Sequence, residues 1–375
     1  MTEPGSAEPV VPAYGSGTLA DLLPALGAHL RVAGASDPFG LPAADRYVVL
    51  LVDGLGWQQR DHWGVAPFLS GLAGERVTCG APSTTATSIT SLGTGLPPAR
   101  HGIAGYSFRL PATGQVLNTL QWPAGVHPLD VQPQLTYLER LASSGVGVAN
   151  IGPARFAGSG LTTVALRGGL FWGVTDEADH ARRIELAGDA ARAGDRSLVY
   201  VYERSLDHTG HGHGVGSQQW LAALARCDEL ARGLRAALPE DTRLVITGDH
   251  GMVNSPSHRW LVVEDEPDLL RGVAAFAGEG RFRQLYTAPG QAEPVLARWR
   301  ERLAERAWVV SRDEAFEAGW FGPRSPRLAA HFGDVLVAMR DDGAVMSRKL
   351  PKEFTLVGMH GSLTAAEMDV PLLVC

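Results

Sequence analysis

The chain has 375 residues, 45% hydrophobic and 19% charged, enough to bury a large core in one elaborated domain or two closely joined ones. Its 33 basic against 40 acidic residues give a net charge of -7 without a long basic run, which excludes polymeric nucleic acid as the main partner. No segment approaches ~20 uninterrupted apolar residues, so no membrane contact is expected.

The first 17 residues are rich in Pro, Gly, Ala and Glu and lack a basic or apolar leader pattern, which reads as a flexible tail on a cytoplasmic protein. A helical pattern around Leu19 to Val32 follows, and then Tyr47-Val-Val-Leu-Leu-Val52, an unbroken aliphatic run expected of a strand covered on both faces. It ends in Asp53-Gly54. The arrangement returns at Leu198-Val-Tyr-Val-Tyr202, shortly before Asp207, and at Leu244-Val-Ile246, just before Asp249-His250. Between these last two strands, Gln218 to Leu238 has leucines at roughly helical spacing and reads as a crossover helix. Strand, helix, strand implies a parallel sheet, whose carboxyl edge would gather Asp53, Asp207 and Asp249.

Residues 108–179 contain Trp122, Phe156, Phe171 and Trp172 among Gly and Pro and read as an insertion that covers the site. Residues 255–347 read as a second insertion, a small α+β lobe. Its elements are a strand from Phe282 to Tyr286, a helix from Pro294 to Arg306 and strands at Trp308–Val310 and Asp334–Ala338. The three cysteines, Cys79, Cys227 and Cys375, are scattered and odd in number, as expected of buried or terminal thiols rather than disulfides or metal ligands.

Interleaved Asp and His residues at strand ends are the raw material of a zinc-type site, since zinc accepts imidazole and carboxylate together. Asp207 and His211 are four apart, a spacing that one helical turn or a tight glycine-rich loop converges on one ion. Asp249-His250-Gly leaves a buried strand, and Gly358-Met-His360-Gly361 adds a histidine between glycines. The run Pro82-Ser-Thr-Thr85-Ala-Thr-Ser reads as a helix start capped by Ser83 or Thr84. A hydroxyl there would meet a phosphate held by free backbone N–H groups, and a dication would make it a competent nucleophile.

Together these blocks resemble the alkaline phosphatase superfamily, and within it the nucleotide pyrophosphatase/phosphodiesterase group. The resemblance rests on Val52-Asp53-Gly54, Pro82-Ser-Thr-Thr85, Gly95-Leu-Pro-Pro-Ala-Arg-His101-Gly-Ile, Asp207-His-Thr-Gly-His211, Gly248-Asp249-His250-Gly-Met and Met359-His360-Gly361, in the family's order. It implies an α/β core with a central, mostly parallel sheet flanked by helices over residues 18–375. It also implies two divalent metal ions, usually zinc, one held by Asp53, Thr85, Asp249 and His250 and the other by Asp207, His211 and His360. Thr85 would be the nucleophile, with Thr84 the competing position, and the substrate would be a small phosphorylated molecule such as a nucleotide. His101 would be structural, and His208 and His213 would stand outside the ligand set.

Two departures bear on substrate choice: Tyr106 stands where the family carries an asparagine that donates to a phosphate oxygen, and Thr84 replaces the lysine before the nucleophile. The reading is a two-metal phosphodiesterase or nucleotide pyrophosphatase acting through a phospho-threonine. A phosphomonoesterase on the same metals is the alternative, followed by a phosphomutase, which would use serine, and by a non-catalytic metal-binding protein, which would have lost a ligand or the nucleophile. Oligomeric state is left open.

Overall fold

The run from Arg46 to Val52 forms the centre of a seven-stranded sheet because its side chains are apolar on both faces. Tyr47, Val49 and Leu51 enter one buried cluster, while Val48, Leu50 and Val52 enter another, the two-residue alternation of a strand covered on each side. The computed structural model describes residues 8–375. Its main strands are β1 (Arg46–Val52), β2 (Gly74–Thr78), β3 (Gly147–Pro153), β4 (Leu170–Val174), β5 (Ser197–Glu203), β6 (Thr242–Gly248), β7 (Val273–Glu279), β8 (Phe282–Thr287), β9 (Ala307–Ser311), β10 (Val335–Met339) and β11 (Asp369–Val374). The main helices are α1 (Leu19–His29), α2 (Thr85–Thr94), α3 (His180–Ala191), α4 (Ser205–His213), α5 (Gln218–Ala237) and α6 (Ala292–Leu303).

The large sheet has the order β2-β11-β6-β1-β5-β3-β4. β1, β3, β4, β5 and β6 pair in parallel, and β11 runs antiparallel to β2 and β6. Helices α1 and α2 cover the first face and α3 and α5 the second, through side chains such as Leu26 and Leu92 on one side and Leu186 and Leu234 on the other. This is the expected α/β core. α5 connects β5 to β6, as its leucine spacing predicts. Among the described residues no helix is long and apolar enough to cross a membrane.

The small lobe is a four-stranded antiparallel sheet of order β7-β8-β10-β9 with α6 against it. It lies within the stretch read from sequence as an α+β insertion.

Two expectations change. The flexible tail was placed at 1–17, yet residues 8–17 are docked: Val10 N–H donates to the Leu363 carbonyl at 2.9 Å and Tyr14 Oη to the Trp320 carbonyl at 2.9 Å. The cause is Asp21, whose carboxylate accepts from the N–H groups of Gly15, Gly17 and Thr18 and folds the glycine-rich stretch over the start of α1. Residues 1–7 lie outside the described residues. The second change concerns residues 108–179, which are not wholly an insertion, because β3 and β4 complete one side of the large sheet.

Candidate active site

Parallel strands deliver their carboxyl ends to one edge, and the strand order sets which side chains meet there. β1 lies between β6 and β5, so the residues that follow these three strands become neighbours. Backbone bonds lock the three loops together: Asp53 N–H donates to the Glu203 carbonyl at 2.8 Å and Asp207 N–H to the Asp53 carbonyl at 3.1 Å. Gly54 N–H donates to Asp249 Oδ1 at 3.0 Å. Gly54 has φ +77°, and a Cβ there would sit 3.0 Å from Asp207 Cα, so close approach and backbone conformation both require glycine.

Asp207 and His211 lie one helical turn apart on α4, with Asp207 Oδ1 3.4 Å from His211 Nε2. His360 Nε2 is 3.8 Å from the same oxygen. On the other side, His250 Nε2 is 3.4 Å from Asp53 Oδ1 and 3.7 Å from Asp249 Oδ2. Two compact donor groups result, Asp53 with Asp249 and His250, and Asp207 with His250 and His360, and His211 borders the second. Thr85 joins the first: its Oγ1 is 3.2 Å from His250 Nε2 and 3.5 Å from Asp53 Oδ1. The six Asp and His residues and the threonine singled out from the sequence are thus brought together.

The tautomers follow from hydrogen bonds outside this cluster. Nδ1 of His211 meets the Gly358 carbonyl at 2.8 Å, that of His250 the Gly251 carbonyl at 2.9 Å, and that of His360 the Ser83 carbonyl at 2.9 Å. A carbonyl only accepts, so each Nδ1 donates its proton there and each ring turns its Nε2 toward the carboxylates. Asp207 Oδ1 and Asp249 Oδ2 are buried without a hydrogen-bond partner. Burial, followed by the charges of Asp249 and Asp207, pushes the Asp53 carboxyl well above its ordinary range. Burial and the neighbouring His250 and His211 hold His360 well below the ordinary imidazole range. Orphaned carboxylate oxygens facing imidazole Nε2 atoms, with no thiolate present, make a donor set that fits divalent cations of the zinc type.

Thr85 is the first residue of α2, and the preceding Thr84 makes no side-chain cap. Ser83 does not cap either, because its Oγ donates to the Ser362 carbonyl at 2.6 Å. The first-turn N–H groups of α2 therefore have no capping side chain. Tyr106 lines the same cavity, of about 930 Å³, together with Asp53, Thr85, Asp207, His211 and His360. Its phenol oxygen accepts from Asn118 Nδ2 at 2.9 Å, which leaves the phenol hydrogen to donate elsewhere. His101 stands apart: it is wholly buried, accepts from Ile103 N–H at 3.1 Å and bonds Ser91 Oγ at 3.0 Å, and burial pushes it down to about 3. His208 lines the cavity, and His213 lies at the end of α4 outside the two donor groups.

Residues 47–363 match the family model described as type I phosphodiesterase / nucleotide pyrophosphatase, which covers most of the chain. The chain belongs to this family. Among solved structures, murine ectonucleotide pyrophosphatase / phosphodiesterase 5 is 16% identical, with 87% of each chain covered and a TM-score of 0.68. Phosphonoacetate hydrolase from Sinorhizobium meliloti, in complex with phosphonoacetate, is 18% identical, with 87% of this chain and 89% of that one covered and a TM-score of 0.65. At these identities the two structures establish the fold. A curated relative, the catalytic subunit of GPI ethanolamine phosphate transferase 3 from Homo sapiens, is 33% identical over 66 residues, 18% of this chain and 6% of that protein. The phosphodiesterase family is one of hydrolases whose members use divalent metals.

Sequence reading missed Tyr202, whose hydroxyl donates to Asp53 Oδ2. A signal was available: Tyr202 is the last aromatic of the β5 run and pairs in register with Leu51, two residues before Asp53. It also missed Glu279, at the end of β7, whose Oε2 lies 3.6 Å from His360 Nδ1. No local pattern marks that residue, because it reaches the site from the lobe.

Proposed function

We propose that the protein hydrolyses a phosphodiester or nucleotide pyrophosphate bond through a covalent phosphate on Thr85, with two divalent cations, zinc by preference, held by the two donor groups. The observation that carries this reading is the Thr85 hydroxyl at an uncapped helix start, within 3.5 Å of both Asp53 and His250. Asp53, Asp249 and His250 with Thr85 would hold one ion, and Asp207, His211 and His360 the other. The bound ions supply Lewis acidity, lowering the pKa of a coordinated hydroxyl and offsetting charge on the phosphate oxygens.

The chain's own groups do the rest. First-turn N–H groups of α2 hold a non-bridging oxygen of the substrate, and Tyr106 donates its phenol hydrogen to another. Thr85 Oγ1 attacks phosphorus in line, giving up its proton to solvent, and the bond to the leaving oxygen breaks, that oxygen taking a proton from solvent as it departs. Water then attacks phosphorus from the opposite side and gives up a proton, the bond to Thr85 breaks, Thr85 Oγ1 takes a proton to restore its hydroxyl, and the phosphate product leaves. The three imidazoles keep their orientation throughout because their Nδ1 protons stay on backbone carbonyls. Asp53 is oriented by the Tyr202 hydroxyl.

The test compares hydrolysis of bis(4-nitrophenyl) phosphate with that of 4-nitrophenyl phosphate by zinc-loaded protein. Thr85→Ala and EDTA treatment are expected to remove both activities, with Thr85→Ala still binding zinc by titration calorimetry. Faster cleavage of the diester supports the phosphodiesterase reading, and faster cleavage of the monoester moves the function to a phosphatase on the same site. Full activity in Thr85→Ala would overturn the nucleophile assignment.

A further inference from the structure

Beyond the Asp and His cluster, the same sheet edge carries a second run of charge. Along β1, β5, β3 and β4 the residues at or just after the strand ends are Asp53, then Arg204, then Arg155, then Glu177. Adjacent strands are ~4.8 Å apart, so Arg204 and Arg155 leave the sheet roughly 5 and 10 Å from the strand that carries Asp53. Both line the cavity that contains Thr85.

Two guanidinium groups here share one carboxylate. Arg204 Nη1 is 3.0 Å from Glu177 Oε2, and Arg155 pairs with Glu177 Oε1. One positive charge is left over. Arg155 also lies over the Phe156 ring at 4.6 Å, Phe156 and Tyr202 are 6.2 Å apart, and the Tyr202 hydroxyl reaches Asp53, so aromatic rings link Arg155 to Asp53. Elsewhere the cavity lining carries Glu279, at the end of β7, and the neighbours Lys352 and Glu353, the latter paired with Arg283.

We propose that Arg155 and Arg204 form an anion subsite, selecting substrates in which the group attached to the scissile phosphate carries a second anion, either phosphate or carboxylate. The inference rests on the hydrolase reading and adds to it the charge of the substrate's far end. A guanidinium fork matches both anions in geometry. Glu177 holds the two arginines in place before substrate arrives and competes with the substrate's anion once it does.

The experiment uses three phosphodiesters of one scaffold, 4-nitrophenyl benzyl phosphate and its 4-carboxybenzyl and 4-(phosphonomethyl)benzyl counterparts. The double variant Arg155→Gln/Arg204→Gln is expected to raise KM for the two charged compounds at least ~10-fold more than for the benzyl compound. Glu177→Gln is expected to lower KM for the charged compounds relative to the benzyl one, a direction that loss of a merely structural ion pair would not produce. The charged compound with the larger selective loss identifies phosphate or carboxylate as the preferred anion. Equal shifts for all three compounds, or none, would overturn the subsite. If wild-type protein cleaves none of them, the hydrolase reading fails. The subsite is then read by titration calorimetry of the same compounds with the Thr85→Ala protein and with Thr85→Ala carrying both arginine changes. A charge preference present in the first and lost in the second upholds the subsite, and no preference in either overturns it.

Discussion

Replacing Asp249 with Asn separates what the cluster costs the fold from what it does for cations. Asp249 Oδ1 accepts from Gly54 N–H and His250 N–H, both at 3.0 Å, while Oδ2 has no partner. An asparagine keeps both accepted bonds through its carbonyl and places a neutral amide at the orphaned position, 3.7 Å from His250 Nε2. Without a cation, the facing oxygens of Asp53 and Asp249 lie within 4.8 Å of each other. Two unit charges at that distance repel by ~3 kcal/mol at an effective dielectric constant near 20. Proton uptake by Asp53, whose pKa is raised by burial and by Asp249, relieves part of this. The cation-free variant should therefore be more stable than wild type by about 1–3 kcal/mol. At ~2.1 cal/mol/K per residue, this corresponds to a Tm rise of about 1–4 °C, read by scanning fluorimetry in EDTA. In excess zinc the order should reverse, because cation binding stabilises wild type by mass action and the variant less. Hydrolysis of bis(4-nitrophenyl) phosphate should fall ~100-fold or more. A lower Tm for the variant in EDTA, or wild-type hydrolysis in zinc, would refute the account.

Tyr106→Phe removes a donor with no other role in the fold than its bond from Asn118, and should lower kcat/KM for the diester by the ~1.5–3 kcal/mol of a hydrogen bond to a charged group, roughly 10–150-fold, in steady-state assays. Gly54→Ala puts an L-residue at φ +77° and a Cβ 3.0 Å from Asp207, so it should destabilise the protein by at least ~1 kcal/mol and weaken zinc binding in calorimetry. His101→Gln tests the buried imidazole. In the folded chain it stays neutral down to about 3, whereas in the unfolded chain it takes a proton near ~6.5. Its unfolded state thus binds more protons between these values. Stability is complete above pH ~6.5 and is lost on acidification at up to ~1.4 kcal/mol per pH unit. Urea denaturation between pH 7.5 and 5 should show a slope shallower by up to one proton in the variant, and an unchanged slope would show that His101 does not set it.

Three strands were legible because each is an apolar run too continuous for a surface element, and each ends at an acidic residue. The α5 crossover makes β5 and β6 parallel and puts Asp207 and Asp249 on one edge, and the place of β1 between them brings Asp53 to both. β3 and β4 escaped for physical reasons. β3 contains Gly147, Gly152 and Pro153 and buries Asn150, whose side-chain N–H donates to the Leu166 carbonyl at 2.9 Å, so a buried polar residue breaks the apolar signature. β4 is an edge strand with Leu170 exposed. β2, at the opposite edge, is largely polar and exposed. Edge strands need burial on fewer sides, and their sequences relax accordingly.

The candidate site divides in the same way. Side chains that follow buried strands could be placed from periodicity, but the groups that orient them are mostly backbone. The carbonyls of Ser83, Gly251 and Gly358 set the tautomers of His360, His250 and His211, and a carbonyl has no residue identity to read. What the sequence does carry is permission for those carbonyls to arrive. A Cβ at Gly251 would fall 2.0 Å from the Ala366 carbonyl, and one at Gly358 would fall 2.6 Å from the Gly210 carbonyl. The glycines that surround His250 and His360 are thus part of the donor geometry. They allow loops from distant parts of the chain to approach closely enough for each imidazole to be held by main chain on one side and to face a carboxylate on the other.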